Sequence, residues 1–318
     1  MKKIAVLVPC YNESATISKV VNDFNNVLTP YCAGKGCEFE VFVYDNNSTD
    51  GSAALAAAAG ATVVQERRQG KGNVVQSQFR DVDADAYLMV DGDDTYEAAD
   101  CVKMLDEVLD NNIDMVIGDR LSGAYFTENK RAFHNTGNKA VRNLINQFFK
   151  SNINDIMTGY RAFSRQFVKT FPVVSRGFEI ETEMTIHAVF HNLRVSELPI
   201  SYRDRPEGSE SKLNTISDGV RVLWTIAQLV REYRPLGFFT ALGVIVAFIG
   251  ILLGAVPVLE YINTGLVGHF PSLIVAGFMF IAAFVIWQAG IIMHLIVKKH
   301  RLNFEYHYYA VSNLASRT

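Results

Sequence analysis

Apolar and polar positions alternate in blocks along the first 120 or so residues, and the blocks carry two different periods. Ile4–Val8 is a continuous apolar run, the pattern of a strand buried on both faces. Asn12-Glu13-Ser14 closes it, and Ser14 is placed to cap a helix running to about Leu28. A second run, Phe39–Tyr44, ends at Asp45-Asn46-Asn47-Ser48. Asp50-Gly51-Ser52 leads into an alanine-rich helix, Ala53–Ala59, which Gly60 stops, and Thr62–Gln65 is a third short strand. Gly70-Lys71-Gly72-Asn73 opens the next helix, Tyr87–Val90 is a strand ending at Asp91, a helix covers about Ala98–Leu109, and the strand Met115–Gly118 follows. This rhythm predicts an α/β fold, a mostly parallel sheet with helices on both faces. In such sheets ligands bind beyond the carboxyl ends of the strands. The polar clusters after Val8, Tyr44 and Val90 fall at those ends.

From about Leu121 to Arg234 the pattern is less regular. It predicts helices around Asn138–Phe149 and Glu179–Phe190, a strand Val195–Tyr202, and a charged loop from Arg203 to Lys212. Ile216, Val220, Leu223, Ala227 and Val230 then form one apolar stripe flanked by Arg221, Arg231 and Arg234. Such a helix suits a membrane surface, with its arginines near lipid phosphates; an amphipathic helix packed on the domain fits equally well.

Beyond this point charge almost disappears. Leu236–Leu259 contains no charged residue. As a helix it would be roughly 36 Å long, enough for a bilayer core of about 30 Å. Ser272–Val297 is a second span with His294 near its end, and Glu260–Pro271 connects the two into a hairpin. Arg231 and Arg234 precede the first span, Lys298, Lys299, His300 and Arg301 follow the second, and the connection has no Lys or Arg. The positive-inside rule therefore predicts that both ends face the cytosol. A buried hairpin in a soluble core is the weaker alternative for two uncharged spans of this length with basic flanks. The expected organisation is a cytosolic domain over 1–212, an interfacial amphipathic helix over 213–235, a transmembrane hairpin over 236–297 and a cytosolic tail over 298–318. The aromatics between Phe304 and Tyr309 suit the bilayer interface.

Composition changes this picture little. A net charge of −3 over 318 residues gives no global attraction to nucleic acid. Cys10, Cys32, Cys37 and Cys101 include no CxxC pair, which favours reduced cytosolic thiols over a disulfide framework or zinc site; only Cys32 and Cys37 are near neighbours. The apolar run after Lys2 and Lys3 is too short for a secretion signal, whose core needs about 7–15 residues.

The chemistry concentrates at Asp91-Gly92-Asp93-Asp94, at a strand end. Carboxylates this close repel one another unless a cation intervenes. Mg²⁺ is typically held by one or two carboxylates together with substrate phosphates, which makes Asp91 and Asp93 candidate ligands; a solvated turn capping the next helix is the bland alternative. Asp45 to Gly51 can bind a base or ribose, or be a turn with helix caps. Gly70-Lys71-Gly72, preceded by Arg67 and Arg68, can face phosphates, but it lacks P-loop spacing, and an exposed basic turn is the alternative. Glu179 and Glu183 can share one helix face while Glu181 cannot join them; one of the three can line the acceptor side, and a solvated helix face suits the rest at least as well. His134, His187 and His191 lack metal-ligand company and read as structural or surface residues.

Taken in order, these pieces resemble the family 2 glycosyltransferases with a GT-A fold, and within them the polyprenyl-phosphate branch that includes dolichol-phosphate mannose synthases and bactoprenol glucosyltransferases. The resemblance runs through most of the chain. It is carried by Val8-Pro9-Cys10-Tyr11-Asn12-Glu13, Asp45–Gly51, Gly70-Lys71-Gly72 and Asp91-Gly92-Asp93-Asp94. It continues through Gly118-Asp119-Arg120, Asp155–Arg161, Phe178–Met184 and Gly208–Lys212. It implies that Pro9, Tyr11, Glu13 and Asp45 hold the nucleotide, with Lys71 and Asp91 also on the donor side. It further implies that Asp91 and Asp93 bind Mg²⁺ or Mn²⁺. Arg120, Arg131, Arg205, Ser211 and Lys212 would bind phosphate groups, the acceptor's among them, and Asp155 would sit near the reacting centre. One departure stands out: the mannose synthases follow their DxD with a leucine and a metal-binding glutamine, where this chain has Asp94 and Thr95.

The implied activity is inverting transfer of a hexose from a UDP- or GDP-linked sugar to a polyprenyl phosphate such as undecaprenyl phosphate, at a bacterial cytoplasmic membrane. Two alternatives remain at this stage. One is a membrane glycosyltransferase that extends a glycan or glycolipid, although no QxxRW-type motif is present. The other is a catalytically silent membrane scaffold, which the intact carboxylate cluster opposes. Sugar identity and oligomeric state, a homo-oligomer included, stay open.

Overall fold

The computed structural model describes residues 1–122, 142–143, 145–148, 151–177, 179–204, 227–228 and 230–315. Half of the anticipated helix at 138–149 and most of that at 213–235 therefore lie outside the described residues. The chain divides into two compact units, Met1–Leu223 with Glu305–Thr318, and Trp224–Phe304.

The first unit is built on a seven-stranded sheet in the order β3-β2-β1-β4-β6-β5-β7. The strands are β1 (Lys2–Cys10), β2 (Cys37–Asp45), β3 (Thr62–Gln65), β4 (Ala86–Met89), β5 (Met115–Asp119), β6 (Arg161–Ser164) and β7 (Val195–Pro199). All neighbouring pairs are parallel except those of β6, which runs antiparallel to both β4 and β5. Ile4–Val8 is fully buried, as a central strand with both faces covered requires. The order reverses between β1 and β4: β2 and β3 lie on one side of β1, and later strands on the other. That reversal is the crevice where α/β sheets bind ligands.

Helices α1 (Ile17–Lys35), α2 (Ser52–Ala58), α3 (Lys71–Asp81) and α4 (Cys101–Leu109) alternate with the strands. In α1, Ile17, Val20, Val21, Phe24, Leu28 and Cys32 are buried at helical spacing. The helix continues past Leu28 and contains Pro30, which lies on its exposed face. It ends at Gly36, whose φ of 65° closes a left-handed cap onto the Cys32 carbonyl. Ser14 does not cap this helix; its backbone N–H instead donates to Asp50. The Cys32 and Cys37 thiols lie 2.9 Å apart as free cysteines.

Strand β6 is the element that the pattern along the chain does not announce, because Arg161-Ala162-Phe163-Ser164 begins and ends on polar residues and forms no apolar run. Its consequence is large. Running antiparallel, it begins at the edge where β4 and β5 end, with Arg161 paired to Met89 and Ile117. The loop Asp155–Tyr160 is thereby delivered to the carboxyl edge of the sheet. Arg161 is fully buried. Its guanidinium donates to the carbonyls of Thr158 (3.0 Å) and Ile156 (2.6 Å) and to Thr185 Oγ1 (2.9 Å). Burial pulls its pKa down to about 10, so it remains charged at neutral pH. After β6 come α5 (Arg165–Thr170) and α6 (Ile180–Phe190). Helix α6 is buried on all sides from Ile180 to Ala188.

The second unit contains α7 (Pro235–Thr264) and α8, which starts within it at Phe270 and runs to Ala315. Both are long and apolar enough to cross a membrane. Each extends beyond its anticipated span: α7 passes Leu259, and α8 continues as helix through Lys298–Arg301 into the expected tail. Their contact uses small residues. A Cβ on Gly290 would lie 2.7 Å from Phe239 Cβ, and one on Gly250 would lie 3.1 Å from Met279 Cβ. Among the tail aromatics, Tyr308 donates its hydroxyl to Asp114 at 2.5 Å, while Tyr306 and Tyr309 are exposed.

Replacing Arg161 by Leu strips partners from two buried carbonyls and from Thr185 at once. An unsatisfied buried group costs about 1–3 kcal/mol, so R161L is expected to lower stability by roughly 3 kcal/mol or more. A drop in Tm of the full-length protein in detergent checks this; an unchanged Tm contradicts it.

Candidate active site

Three loops meet at the β1–β4 crevice, and each is pinned by its own polar side chains. After β1, Asn12 takes a left-handed φ of 53°. Its N–H donates to Ser48 Oγ, and its side-chain oxygen accepts from Thr49 N. Glu13 N donates to Ser52 Oγ. The loops after β1 and β2 are thus laced together before any ligand is considered. Of the anticipated nucleotide contacts, Pro9 lies at the end of β1 beside Tyr44, Tyr11 is 40% exposed, Glu13 is half-buried and Asp45 is buried. Asp45 accepts from Ser48 N in the turn that follows.

Asn46 has a role that a turn reading missed. Its amide donates to the carbonyls of Glu66 and Arg68, and its oxygen accepts from Gly70 N. It therefore shapes the approach to Gly70-Lys71-Gly72. Glu66 is buried there and bonded to Arg68 and Ser77, and the Arg68 guanidinium in particular holds its carboxyl down at about 2.

The turn itself is not an exposed basic loop. The Lys71 side chain is only 8% exposed. Its ammonium lies 2.5 Å from Asp91 Oδ1 and 2.5 Å from Glu181 Oε1. Burial alone would lower the Lys71 pKa, but the two carboxylates outweigh it and the net shift is upward. Burial raises the Glu181 pKa, and Lys71 opposes that only in part. One ammonium shared by two carboxylates keeps its proton, and this is the direction that the geometry supports. The flanking glycines are required by close approach. A Cβ on Gly70 would lie 2.2 Å from the Arg176 carbonyl oxygen, and one on Gly72 would lie 2.0 Å from that of Ser175.

The solvated-face expectation for the glutamates of α6 is corrected by these contacts. Glu181 and Glu183 are buried. Glu181 holds Lys71, while Glu183 accepts from Val174 N and Ser175 N, in the segment that presses on the glycines. Glu179 accepts from Gly177 N. His187, on the same helix, packs against the Phe167 and Phe171 rings, in keeping with a structural role.

Asp91 Oδ2 faces Gly159, where a Cβ would come within 2.3 Å of it. Asp93 is buried, and its Oδ1 accepts from Thr95 Oγ1 at 2.7 Å. Asp94, at φ 57°, pairs its carboxylate with Lys19 at 2.8 Å, with Arg203 at 3.8 Å. Among the described residues no group of three or more His, Cys, Asp or Glu side chains converges on a metal position. Two carboxylates can still serve a hard divalent ion whose remaining ligands are substrate phosphates and water. Asp91 and Asp93 fit such an ion; Asp94 is engaged elsewhere.

Arg120 and Asp155 meet at the ends of β5 and the β6-leading loop. Nε and Nη2 of Arg120 donate to the two carboxylate oxygens at 2.7 and 2.9 Å, and Arg120 N adds a third bond at 3.2 Å. The guanidinium also stands 5.4 Å from the Tyr202 ring centroid. Tyr202 bridges to Tyr96, and Arg203 N donates to the Thr95 carbonyl. Gly159 N donates to Tyr96 Oη. One network thus joins the DxD loop to the loop that carries Asp155. Arg131, Arg205, Ser211 and Lys212 lie outside the described residues.

The model of the family described as Glycosyl transferase family 2 matches residues 5–171. Glycosyltransferase AglJ of Haloferax volcanii is 32% identical over 304 residues, covering 94% of this chain and 95% of that protein. A dolichyl-phosphate hexose transferase of the same organism is 27% identical over 231 residues, covering 73% of this chain and 95% of that protein. Among solved structures, glucosyl-3-phosphoglycerate synthase from Mycobacterium tuberculosis, in complex with Mn²⁺, UDP and glucosyl-3-phosphoglycerate, superimposes with a TM-score of 0.54 at 22% identity. That match covers 72% of this chain and 79% of the other, and it establishes a shared fold.

Because Asp94 serves Lys19 and Arg203, D94N is expected to leave Mn²⁺ uptake in the presence of UDP or GDP unchanged. Asparagine tolerates the left-handed backbone, so the loss is confined to partly exposed ion pairs, about 1 kcal/mol or less. Calorimetric titration and a thermal melt check both parts; weakened Mn²⁺ binding would make Asp94 a ligand after all.

Proposed function

The chain belongs to glycosyltransferase family 2, and from that premise we propose that it transfers a hexose from a UDP- or GDP-linked sugar to a polyprenyl phosphate such as undecaprenyl phosphate, with inversion at the anomeric carbon. The observation that carries the acceptor class is the pair of long apolar helices that follows a GT-A domain on one chain. A relative named as a dolichyl-phosphate hexose transferase adds support. The same helices, with their basic flanks, support placement in a cytoplasmic membrane with the catalytic domain on the cytosolic side.

A phosphate monoester oxygen is already ionised at neutral pH, so the acceptor asks for little general-base help. The difficulty is repulsion between acceptor phosphate and donor diphosphate. Arg120 is suited to offset it. Asp155 takes up two of its N–H groups and fixes the plane of the guanidinium, which leaves the rest of a rigid fork for phosphate. In this reading Asp155 is occupied as an orienting group and does not remove a proton. Arg131, Arg205, Ser211 and Lys212 would add further phosphate contacts. On the donor side, Pro9, Tyr11, Glu13 and Asp45 would hold base and ribose, in loops that are already ordered by their own hydrogen bonds. Asp91 and Asp93 would hold Mg²⁺ or Mn²⁺, which when bound neutralises charge on the departing diphosphate. Lys71 would add a positive charge beside it.

The test is incubation of the full-length protein in detergent with undecaprenyl phosphate, Mn²⁺ and UDP-glucose, UDP-N-acetylglucosamine, UDP-galactose or GDP-mannose. Transfer to the lipid from one preferred donor is expected. Transfer to a saccharide or glycolipid but never to the lipid phosphate would replace this reading with chain extension. No transfer from any donor would sink it. D93A is expected to reduce turnover by at least about a hundredfold with Tm little changed; near-normal turnover would remove Asp93 from the site.

A further inference from the structure

Asp91 already holds a cation on one oxygen. Oδ1 receives the Lys71 ammonium at 2.5 Å, and Oδ2 is pressed toward Gly159. A divalent cation drawn to Asp91 therefore meets a resident cation on the same carboxylate, and two like charges at that range repel. Lys71 has no exit to water, because its side chain is buried. It does have a second hold. Glu181 Oε1 takes the ammonium at 2.5 Å, while Glu181 Oε2 is buried and makes no hydrogen bond among the described residues. A buried carboxylate oxygen without a donor is costly, and here it offers the ammonium a position on both Glu181 oxygens, away from Asp91.

We infer that Lys71 is a resident counter-cation of Asp91 which a divalent metal must displace onto Glu181, so that metal and nucleotide diphosphate bind as a coupled pair. The diphosphate supplies the added negative charge that offsets the crowding of Lys71 and the metal. Without it, Lys71 and the metal share only the carboxylates of Asp91, Asp93 and Glu181, and their mutual repulsion weakens metal binding. The coupling is reciprocal: nucleotide tightens the metal by the factor by which the metal tightens the nucleotide. Glu181 then acts as a positioning residue, touching neither ligand and setting where Lys71 goes. The inference rests on the metal site proposed at Asp91 and Asp93.

Mn²⁺ titrations of the full-length protein in detergent, followed by electron paramagnetic resonance of free Mn²⁺ with and without UDP or GDP, test it without turnover. Wild-type protein is expected to bind Mn²⁺ weakly alone and about tenfold or more tightly with nucleotide. The double variant Lys71→Met/Glu181→Gln removes one charge of each sign and keeps net charge constant. It is expected to bind Mn²⁺ alone about tenfold more tightly than wild type, with the nucleotide enhancement largely lost. Glu181→Gln alone leaves Lys71 on Asp91 and is expected to bind Mn²⁺ more weakly than wild type. That ordering, in variants with single cooperative melts, separates displacement from a merely structural role, which would weaken binding in both. A double variant no tighter than wild type, or one keeping the full enhancement, overturns the inference while the metal site stands. Wild-type protein that takes up no Mn²⁺ with either nucleotide overturns the metal site and the inference together.

Discussion

A buried ammonium must be paired, and at Lys71 this requirement organises much of the site. Asp91 comes from the end of β4 and Glu181 from α6, and both reach the same nitrogen. Removing one partner from such a buried group is strongly unfavourable, so the positions of β4, α3 and α6 depend on one another. The two glycines beside Lys71 serve the same end, letting the Ser175 and Arg176 backbone close over the turn. Glu183 holds that backbone from below. Helix α6 is in this sense a polar strut inside the domain: Glu181, Glu183 and Thr185 each satisfy a different element, at Lys71, at residues 174–175 and at Arg161.

The antiparallel strand β6 does for the acceptor side what the parallel strands do for the donor side. A parallel strand presents only its carboxyl end to the crevice. By reversing direction between β4 and β5, β6 lets the residues before it reach the same edge, and Arg161 locks their carbonyls. Asp155 then meets Arg120 at the end of β5, and Gly159 lies against Asp91. The proposed donor and acceptor groups are therefore mechanically continuous, through Tyr96, Gly159 and Tyr202.

The α/β class, the carboxylates at a strand end and the two long apolar helices were legible along the chain. Each rests on a local property: the period of a run, the residue that ends it, or its length. Elsewhere burial overrides local character. Glutamates at 181 and 183 look solvated in sequence and are buried in the fold. The helix expected to end near Leu28 continues to Lys35 with Pro30 inside it. Strand β6 shows no apolar run and is held by its neighbours on both sides.

What the sequence by itself determined is which chemistry is available: Asp91 and Asp93 at a strand end, a lysine between glycines, an arginine after β5, and spans long enough for a bilayer. Only the tertiary structure decided which charges meet. Lys71 and Glu181 are separated by 110 positions and Arg120 and Asp155 by 35, and no local pattern records such pairings. They are selected by the cost of burying charge unpaired, a quantity that exists only once the chain has folded. Of the three aspartates in Asp91-Gly92-Asp93-Asp94, that same constraint paired Asp94 with Lys19 and Arg203 and placed a lysine on Asp91.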